Sequence, residues 1–300
     1  MLQERSQLPR LGDAKHRPEL AAWLFLLPAL LLLTIFVFAP ILYVIYLSFT
    51  SGSFSQAGVR WVGVKNYQQL LQSPDFWQVV GNTLYFTAAT VVPTIAIPLV
   101  LAVGLNQVAI GRTLLRTAYF LPSVTSIVAA GLGFRWLFQV DGPLNHLLAR
   151  LGVAPIAWLS DPTWAMPVLI LLSSWKQLGF NLVVFLAGLQ TIPGDRYDAA
   201  LLDGANPWQQ FRYITLPGLH PTLILVFVTT TIFTLRSFEQ VYVVTGGGPL
   251  NTTNLLVFYI YQQAFGLFDF GYAAAAATVL LMLTLALTWL QLRTRQEPSS

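Results

Sequence analysis

Residues 198–217 read Asp198-Ala-Ala-Leu-Leu-Asp-Gly-Ala-Asn-Pro-Trp-Gln-Gln-Phe-Arg-Tyr-Ile-Thr-Leu-Pro217. This is a polar island between two apolar runs, each long enough to cross a membrane. Pro193 precedes it, and the spacing predicts a short helix over 195–203 whose acidic first turn suits the helix dipole. Ala199 and Ala200 leave one face flat, so that another surface can approach closely. Gly204 should end the helix in the left-handed conformation of a C′ position. Asn206 then has the character of an N-cap, with Pro207 at the first helical position and Gln209 at the reciprocal capping position. The second helix carries Trp208, Phe211, Arg212 and Ile214 and is expected to stop before Leu216-Pro217, where the next apolar run begins. A structure of this kind usually exists to dock something outside the bilayer. The plain alternative is an amphipathic connector lying on the membrane surface.

The flanking sequence makes the membrane setting firm. Charged residues are 9% of the 300-residue chain, against about 25% in an ordinary soluble domain. Hydrophobic residues make up 55%, more than a soluble surface could carry. Six segments reach the length of roughly 20 residues that a bilayer demands. They are 22–47, about 81–104, 118–138, about 165–189, 219–244 and 270–292. Arg135, Lys176, Arg236 and Glu239 fall inside the third, fourth and fifth of these. Pro28, Pro40, Pro93, Pro98 and Pro122 lie within or beside the segments and predict kinks rather than breaks. The fold class is therefore all-α: a polytopic membrane protein of six transmembrane helices spanning 21–292, with the polar island inside a loop over 190–217.

Basic residues set the orientation. With a cytoplasmic amino terminus, that side holds Arg5, Arg10, Lys15, Arg17, Arg112, Arg116, Arg196, Arg212, Arg293 and Arg295, while Arg60, Lys65 and Arg150 lie opposite. This bias places both termini, and the Asp198 loop, on the cytoplasmic side. Residues 1–20 and 293–300 read as tails, the first mixing charge with Pro9 and Pro18. The run 22–47 exceeds the 7–15 residues of a signal-peptide core and reads as a retained span. Sixteen Lys and Arg give a net charge of +4 but no basic stripe, so no nucleic-acid partner is expected. The chain has no cysteine, which leaves no disulfide, thiol nucleophile or thiolate metal site.

With its acid, Ala-Ala, Gly six positions on, Ile ten further and then Leu-Pro, the island resembles the EAA loop of bacterial ABC-importer permeases. Asp198 stands where that family usually has Glu, a reach one methylene shorter. Further pieces resemble the carbohydrate-importer branch, maltose-F-like or glycerol-3-phosphate-A-like. They are Phe25-Leu-Leu-Pro-Ala29, Leu47-Ser-Phe-Thr50, Trp61-Val-Gly-Val-Lys-Asn-Tyr67, Asp75-Phe-Trp77 and Asn82-Thr83. Phe120-Leu-Pro122, Trp158-Leu-Ser-Asp-Pro162, Trp175-Lys176, Gly179-Phe-Asn181, Thr245-Gly-Gly-Gly-Pro249 and Phe268-Asp-Phe-Gly-Tyr272 continue the pattern. In this order they cover about 22–292.

The resemblance implies a permease of the cytoplasmic (inner) membrane that imports a sugar or oligosaccharide by alternating access, embedded in membrane lipid. It implies a second, non-identical permease subunit, two cytosolic ATP-binding subunits and an extracytoplasmic solute-binding protein. That protein would be received by the loops at 50–80, 139–164 and 245–269. Asp198, Ala199, Ala200, Gly204, Ile214, Leu216 and Pro217 would form the coupling loop to the ATPase. The chain itself has no G-x-x-x-x-G-K-[ST] phosphate loop. Gly246–Gly248 lacks the lysine and reads as a flexible external turn. His16, His146 and His220 lack metal spacing. No catalytic residues, metal or cofactor are assigned to it; ATP and Mg belong to the partner ATPase.

Ionisable groups within spans cost about 2.5–3.5 kcal/mol each and by default face a cavity or a partner. Lys176, Arg236 and Glu239 are thus candidates for the solute path, with Ser173, Gln177, Phe180, Asn181 and Ser237 nearby. Trp175 and Phe180 could stack on sugar faces or belong to the interfacial belt. Arg236 and Glu239 could equally be an i,i+3 pair on one helix. A phosphate such as glycerol 3-phosphate, or a phosphodiester, would instead want several cations, which Arg135, Lys176 and Arg236 could supply. An ion-coupled carrier would want buried acids and internal repeats, and neither is evident.

Overall fold

The computed structural model describes residues 17–51, 60–107 and 112–293. Most of the 1–20 and 293–300 segments lies outside them. Among the described residues, four unbroken apolar helices are long enough to cross a membrane, and two bent helix pairs raise the crossings to six if each pair is one. Helix α1 (Ala22–Leu47) carries a π-helical turn at Thr34–Phe38, which accommodates the missing N–H of Pro40. Side chains 22–43 are all exposed, so the protein itself buries none of this stretch of the helix. Only the end near Pro40, Val44 and Ile45 reaches the last span. So apolar a helix standing free is tenable in hydrocarbon and not in water.

A two-residue pairing of β1 (Thr50–Ser51) with β2 (Arg60–Trp61) leads to α2 (Lys65–Gln72). Asn66 Nδ2 ties these pieces by donating to the carbonyls of Ser48 (2.9 Å) and Thr50 (2.8 Å). The next helix, α3 (Pro74–Gln107), begins seven residues before the predicted span. Its added turns hold the outer loops: Gln78 donates to the Leu250 carbonyl and Asn82 to that of Asn251.

The segment predicted as one kinked span over 118–138 is broken instead. Helices α4 (Arg112–Val124) and α5 (Ile127–Leu137) meet at 93°. Ser126 is extended there, and Pro122 has no N–H to help continue the ladder. Helix α6 (Pro143–Arg150) follows in the outer loop. There Asn145, 3% exposed, donates to the Val140 and Ile156 carbonyls and accepts from the Ile156 N–H and the Trp158 indole. Replacing it by Ala strands these buried groups and should cost roughly 3 kcal/mol. The expected outcome is faster proteolysis within 139–161; unchanged resistance would refute the role.

Helix α7 (Pro162–Leu189) is the most buried span. Its N-cap Asp161 accepts from the Thr163 N–H at 2.7 Å. Leu182, Phe185 and Leu186 on α7 pack with Leu99 and Ala102 of α3 and with Leu219 and Val226. After the polar loop come α8 (Gly194–Leu202) and α9 (Pro207–Gly218). A 66° bend at the fully buried Leu219 leads into α10 (His220–Leu235). The predicted fifth span, 219–244, is therefore interrupted after Leu235 and resumes at 239–240, running into a π-helical turn at Val241–Thr245. Helices α11 (Leu256–Tyr261) and α12 (Phe270–Arg293) complete the chain.

The Gly246–Gly248 turn is held by contacts on both sides. Thr253 Oγ1 donates to the Gly248 carbonyl (2.6 Å) and lies 2.8 Å from the Thr245 hydroxyl, and Phe258 packs directly on Gly247.

Candidate functional site

The loop between α7 and α10 is built as its local sequence dictates. Helix α8 starts at Gly194 after Pro193, and Asp203 is its C-cap. Gly204 takes φ +75°. Asn206 and Gln209 form the complete capping box, at 2.9 and 2.8 Å, with Pro207 in the first turn. One expectation fails: α9 does not stop before Leu216-Pro217 but continues to Gly218. Proline in the helix is tolerated here because a π-helical turn at Phe211–Thr215 precedes it and the chain bends soon after.

Two cross-links make the α8–α9 corner one body. The Tyr197 and Thr215 hydroxyls are 2.9 Å apart, and Gln210 Nε2 donates to the Ala205 carbonyl at 3.0 Å. The loop residues divide by role. Ile214 and Leu216 are half-buried against the Leu189–Leu219 core, fastening the loop to the spans. Asp198, Ala199, Gly204 and Pro217 are exposed, and Ala200 is half-buried. Beside them Leu202 is 90% exposed, with Leu201, Trp208 and Tyr213 also outward. Sequence reasoning placed Trp208 on the second helix but gave a docking role to none of these four. The signal for Leu201 and Leu202 was a pair of apolar residues on a short acidic helix.

Deeper in the bundle, two cavities lie along α7 on either side of Lys176. The one away from the Asp198 loop is about 540 Å3 and is lined by Lys176, Arg236, Ser237, Glu239, Gln240 and neighbours from α5 and α10. The one toward the loop is about 390 Å3 and is lined by Phe120, Ser123, Gln177, Phe180, Asn181 and others. Lys176, Thr229 and Phe233 belong to both walls. Seven of the eight predicted path residues thus come together. Ser173 does not: it is buried behind the first cavity, 3.4 Å from Gln240 Nε2. Trp175 packs against Phe134 and lines neither cavity. Arg236 caps the end of α10, so Arg236 and Glu239 flank a helix break rather than pair one turn apart on a helix. Phe120, Ser123, Thr229, Phe233 and Gln240 were missed, since only packing brings α4 and the ends of α10 against this turn of α7.

Asn181 is 1% exposed and donates to the Thr94 carbonyl and the Thr230 hydroxyl. Its Oδ1, and Nε2 of the 8% exposed Gln177, have no partner in the protein. Among the described residues no three His, Asp or Glu side chains cluster as a metal site would require.

A bundle of about six crossings with a capped, outward-facing polar loop and an interior lined by amides and phenyl rings is the architecture of a transport permease. The chain belongs to the family of binding-protein-dependent transport system inner membrane components, which matches residues 94–296. It is 36% identical to the lactose transport system permease protein LacF of Rhizobium radiobacter over 98% of both chains. It is also 36% identical to the arabinooligosaccharides transport system permease protein AraP of Bacillus subtilis, over 94% of this chain and 90% of the other. In fold it matches a bacterial ABC transporter involved in the import of the acidic polysaccharide alginate. The TM-score is 0.82 at 25% identity, over 94% of this chain and 97% of the other. A bacterial alginate ABC transporter in complex with alginate pentasaccharide-bound periplasmic protein matches at a TM-score of 0.79 and 26% identity, over 91% and 93%. The chain is thus an ABC-importer permease and not an ion-coupled carrier.

Proposed function

We propose that this chain is one of two non-identical permease subunits of an ATP-driven importer and that it forms half of the path for a sugar or oligosaccharide. The observation that carries the reading is the pair of unsatisfied buried amide atoms on α7. Gln177 Nε2 is a donor and Asn181 Oδ1 an acceptor, one turn apart, both closed off from solvent on residues that line the cavity walled by Phe120, Phe180 and Phe233. Buried polar groups are ordinarily paired. A donor and an acceptor beside aromatic faces suit a solute that carries hydroxyls on one side and C–H groups on the other. The relatives named for lactose and arabino-oligosaccharides support the same class.

A phosphorylated solute is less well served. Arg135 is exposed at the far end of α5 and lines neither cavity, and Arg236 shares its cavity with Glu239. In this reading a solute-binding protein delivers from the side away from the Asp198 loop. Two cytosolic subunits bind ATP and Mg, and their closure is passed through the Asp198–Pro217 loop to the spans. Both termini then lie in the cytoplasm. The chain holds no cofactor and catalyses nothing itself.

The test is uptake by the reconstituted complex with lactose and arabino-oligosaccharides as probes. Gln177→Leu removes a donor that bonds to nothing in the protein, so folding should be spared. The half-saturating sugar concentration should rise about ten-fold. Uptake that needs no ATP, or a Gln177→Leu complex saturating like the parent, would count against the reading.

A further inference from the structure

Lys176 stands where the two cavities meet, and its own contacts say more than its charge does. Its ammonium carries three N–H donors, and three acceptors receive them. These are the Pro122 carbonyl at 2.7 Å, the Thr125 carbonyl, and more loosely the Thr125 hydroxyl at 3.4 Å. The carbonyls at the end of a helix have no partner within it, and the α4–α5 break turns two of them toward α7. The cation therefore sits at the negative end of α4, where the helix dipole favours it. Two further contacts fall on the same turn. Ser123 Oγ donates to the Lys176 carbonyl and accepts from the Phe180 N–H, both at 3.1 Å, so a hydroxyl from α4 shares a rung of the α7 ladder. Gly179 lets the α4 backbone lie directly on α7.

An ammonium with its donors committed cannot also bind a passing solute unless it first leaves the carbonyls. Leaving frees the Thr125 carbonyl and takes one of two donors from the Pro122 carbonyl, the other being the Thr125 hydroxyl, and it is unfavourable until other groups take up the ammonium's donors. We propose that Lys176 is the latch of the path. On Pro122 and Thr125 it holds α4 against α7 and closes the passage between the two cavities. Its release, as the switch of the spans draws α4 away from α7, joins them into one. The inference rests on the reading that these cavities belong to the solute path, and it makes Lys176 a positioning residue rather than a counter-ion for an anionic cargo.

The chain has no cysteine, so a single Ile127→Cys places one thiol on the cavity away from the loop. A small membrane-impermeant thiol reagent is added to the reconstituted nucleotide-free complex from the Asp198-loop side, and on the latch reading its route to that thiol runs past Lys176. Lys176→Met should raise the labelling rate about ten-fold and Lys176→Arg less than about two-fold, since the guanidinium still donates. Lys176→Gln, which keeps two donors, should fall between them and serves if the Met variant does not assemble. In uptake, Lys176→Met should lower the maximal rate and leave ATP hydrolysis running without transport, with the half-saturating concentration little changed.

Equal labelling in Lys176→Met and the parent overturns the latch. So does a raised half-saturating concentration at an unchanged maximal rate, which is the signature of a solute ligand. The labelling needs no solute. If it responds as stated while the parent complex takes up neither sugar probe, the sugar reading fails and the latch remains.

Discussion

Gly204→Asp is expected to leave the chain inserted and helical while lowering ATP-driven uptake about a hundred-fold, through a docking loss of roughly 3 kcal/mol. The separation of the two effects follows from the geometry of the α8–α9 corner. A Cβ on Gly204 would meet no atom within 4 Å, so nothing inside the chain is crowded by a side chain there. The internal cost is that of holding a non-glycine residue at φ +75°, about 1–2 kcal/mol. That is small against an ordinary folding stability of about 5–15 kcal/mol.

A large loss of transport must then arise outside the chain, where in the proposed assembly the corner meets an ATPase subunit. The neighbouring surface is Leu201, Leu202, Trp208 and Tyr213, all exposed, and a carboxylate inserted into such a contact would be desolvated without a partner. Helix content by circular dichroism, membrane abundance and uptake together read the two effects. Normal transport by this variant would remove Gly204 from the coupling surface. Gly204→Ala, which adds no charge, should fall between parent and Asp variant.

Gly179→Val is expected to act in the opposite way, through the chain's own stability. The added Cβ would lie 2.5 Å from the Tyr119 carbonyl, 2.6 Å from the Phe120 Cα and 2.7 Å from the Ser123 hydroxyl. Two of these are backbone atoms, so no side chain can swing aside, and α4 as a whole must withdraw from α7. Overpacking of this kind costs about 3 kcal/mol or more. The withdrawal also removes the Ser123 hydroxyl from the α7 ladder and the Lys176 ammonium from its carbonyls. The expected result is a lowered unfolding midpoint in detergent together with lost uptake. Gly133→Val on α5 is the control, because a Cβ there meets nothing within 4 Å and should be nearly neutral. Equal midpoints for the two variants would show that the α4–α7 approach is not the tight contact its geometry describes.

The contrast between these two glycines shows what was legible beforehand. Gly204 lies in a run of local signals: Pro193 before the first helix, a capping box at Asn206 and Gln209, Pro207 between them. Each acts over three or four residues, so each is written in adjacent sequence. Gly179 belonged to a family-like run, yet nothing around it says that Tyr119 and Phe120 lie against it. The same holds for the helix limits. Hydropathy alone would end the second span near 81, where polar residues begin. Helix α3 runs on to Pro74 because Gln78 and Asn82 reach carbonyls at 250 and 251. The apolar run at 118–138 carries no sign that it turns through 93°. The partners that make that break tenable include Lys176, 54 positions from Pro122.

By itself the sequence determined an all-α membrane protein of six crossings and the construction of its polar loop. A bilayer imposes a length and an apolarity that can be counted along the chain, and helix caps are satisfied by near neighbours. Only the tertiary structure decided where two of the six runs break, which of the charged and amide residues share a cavity, and that Lys176 is engaged by α4. Those outcomes depend on which carbonyls and side chains meet across helices, and a buried polar group takes its partner from whatever packing brings within hydrogen-bond reach, at any distance along the chain.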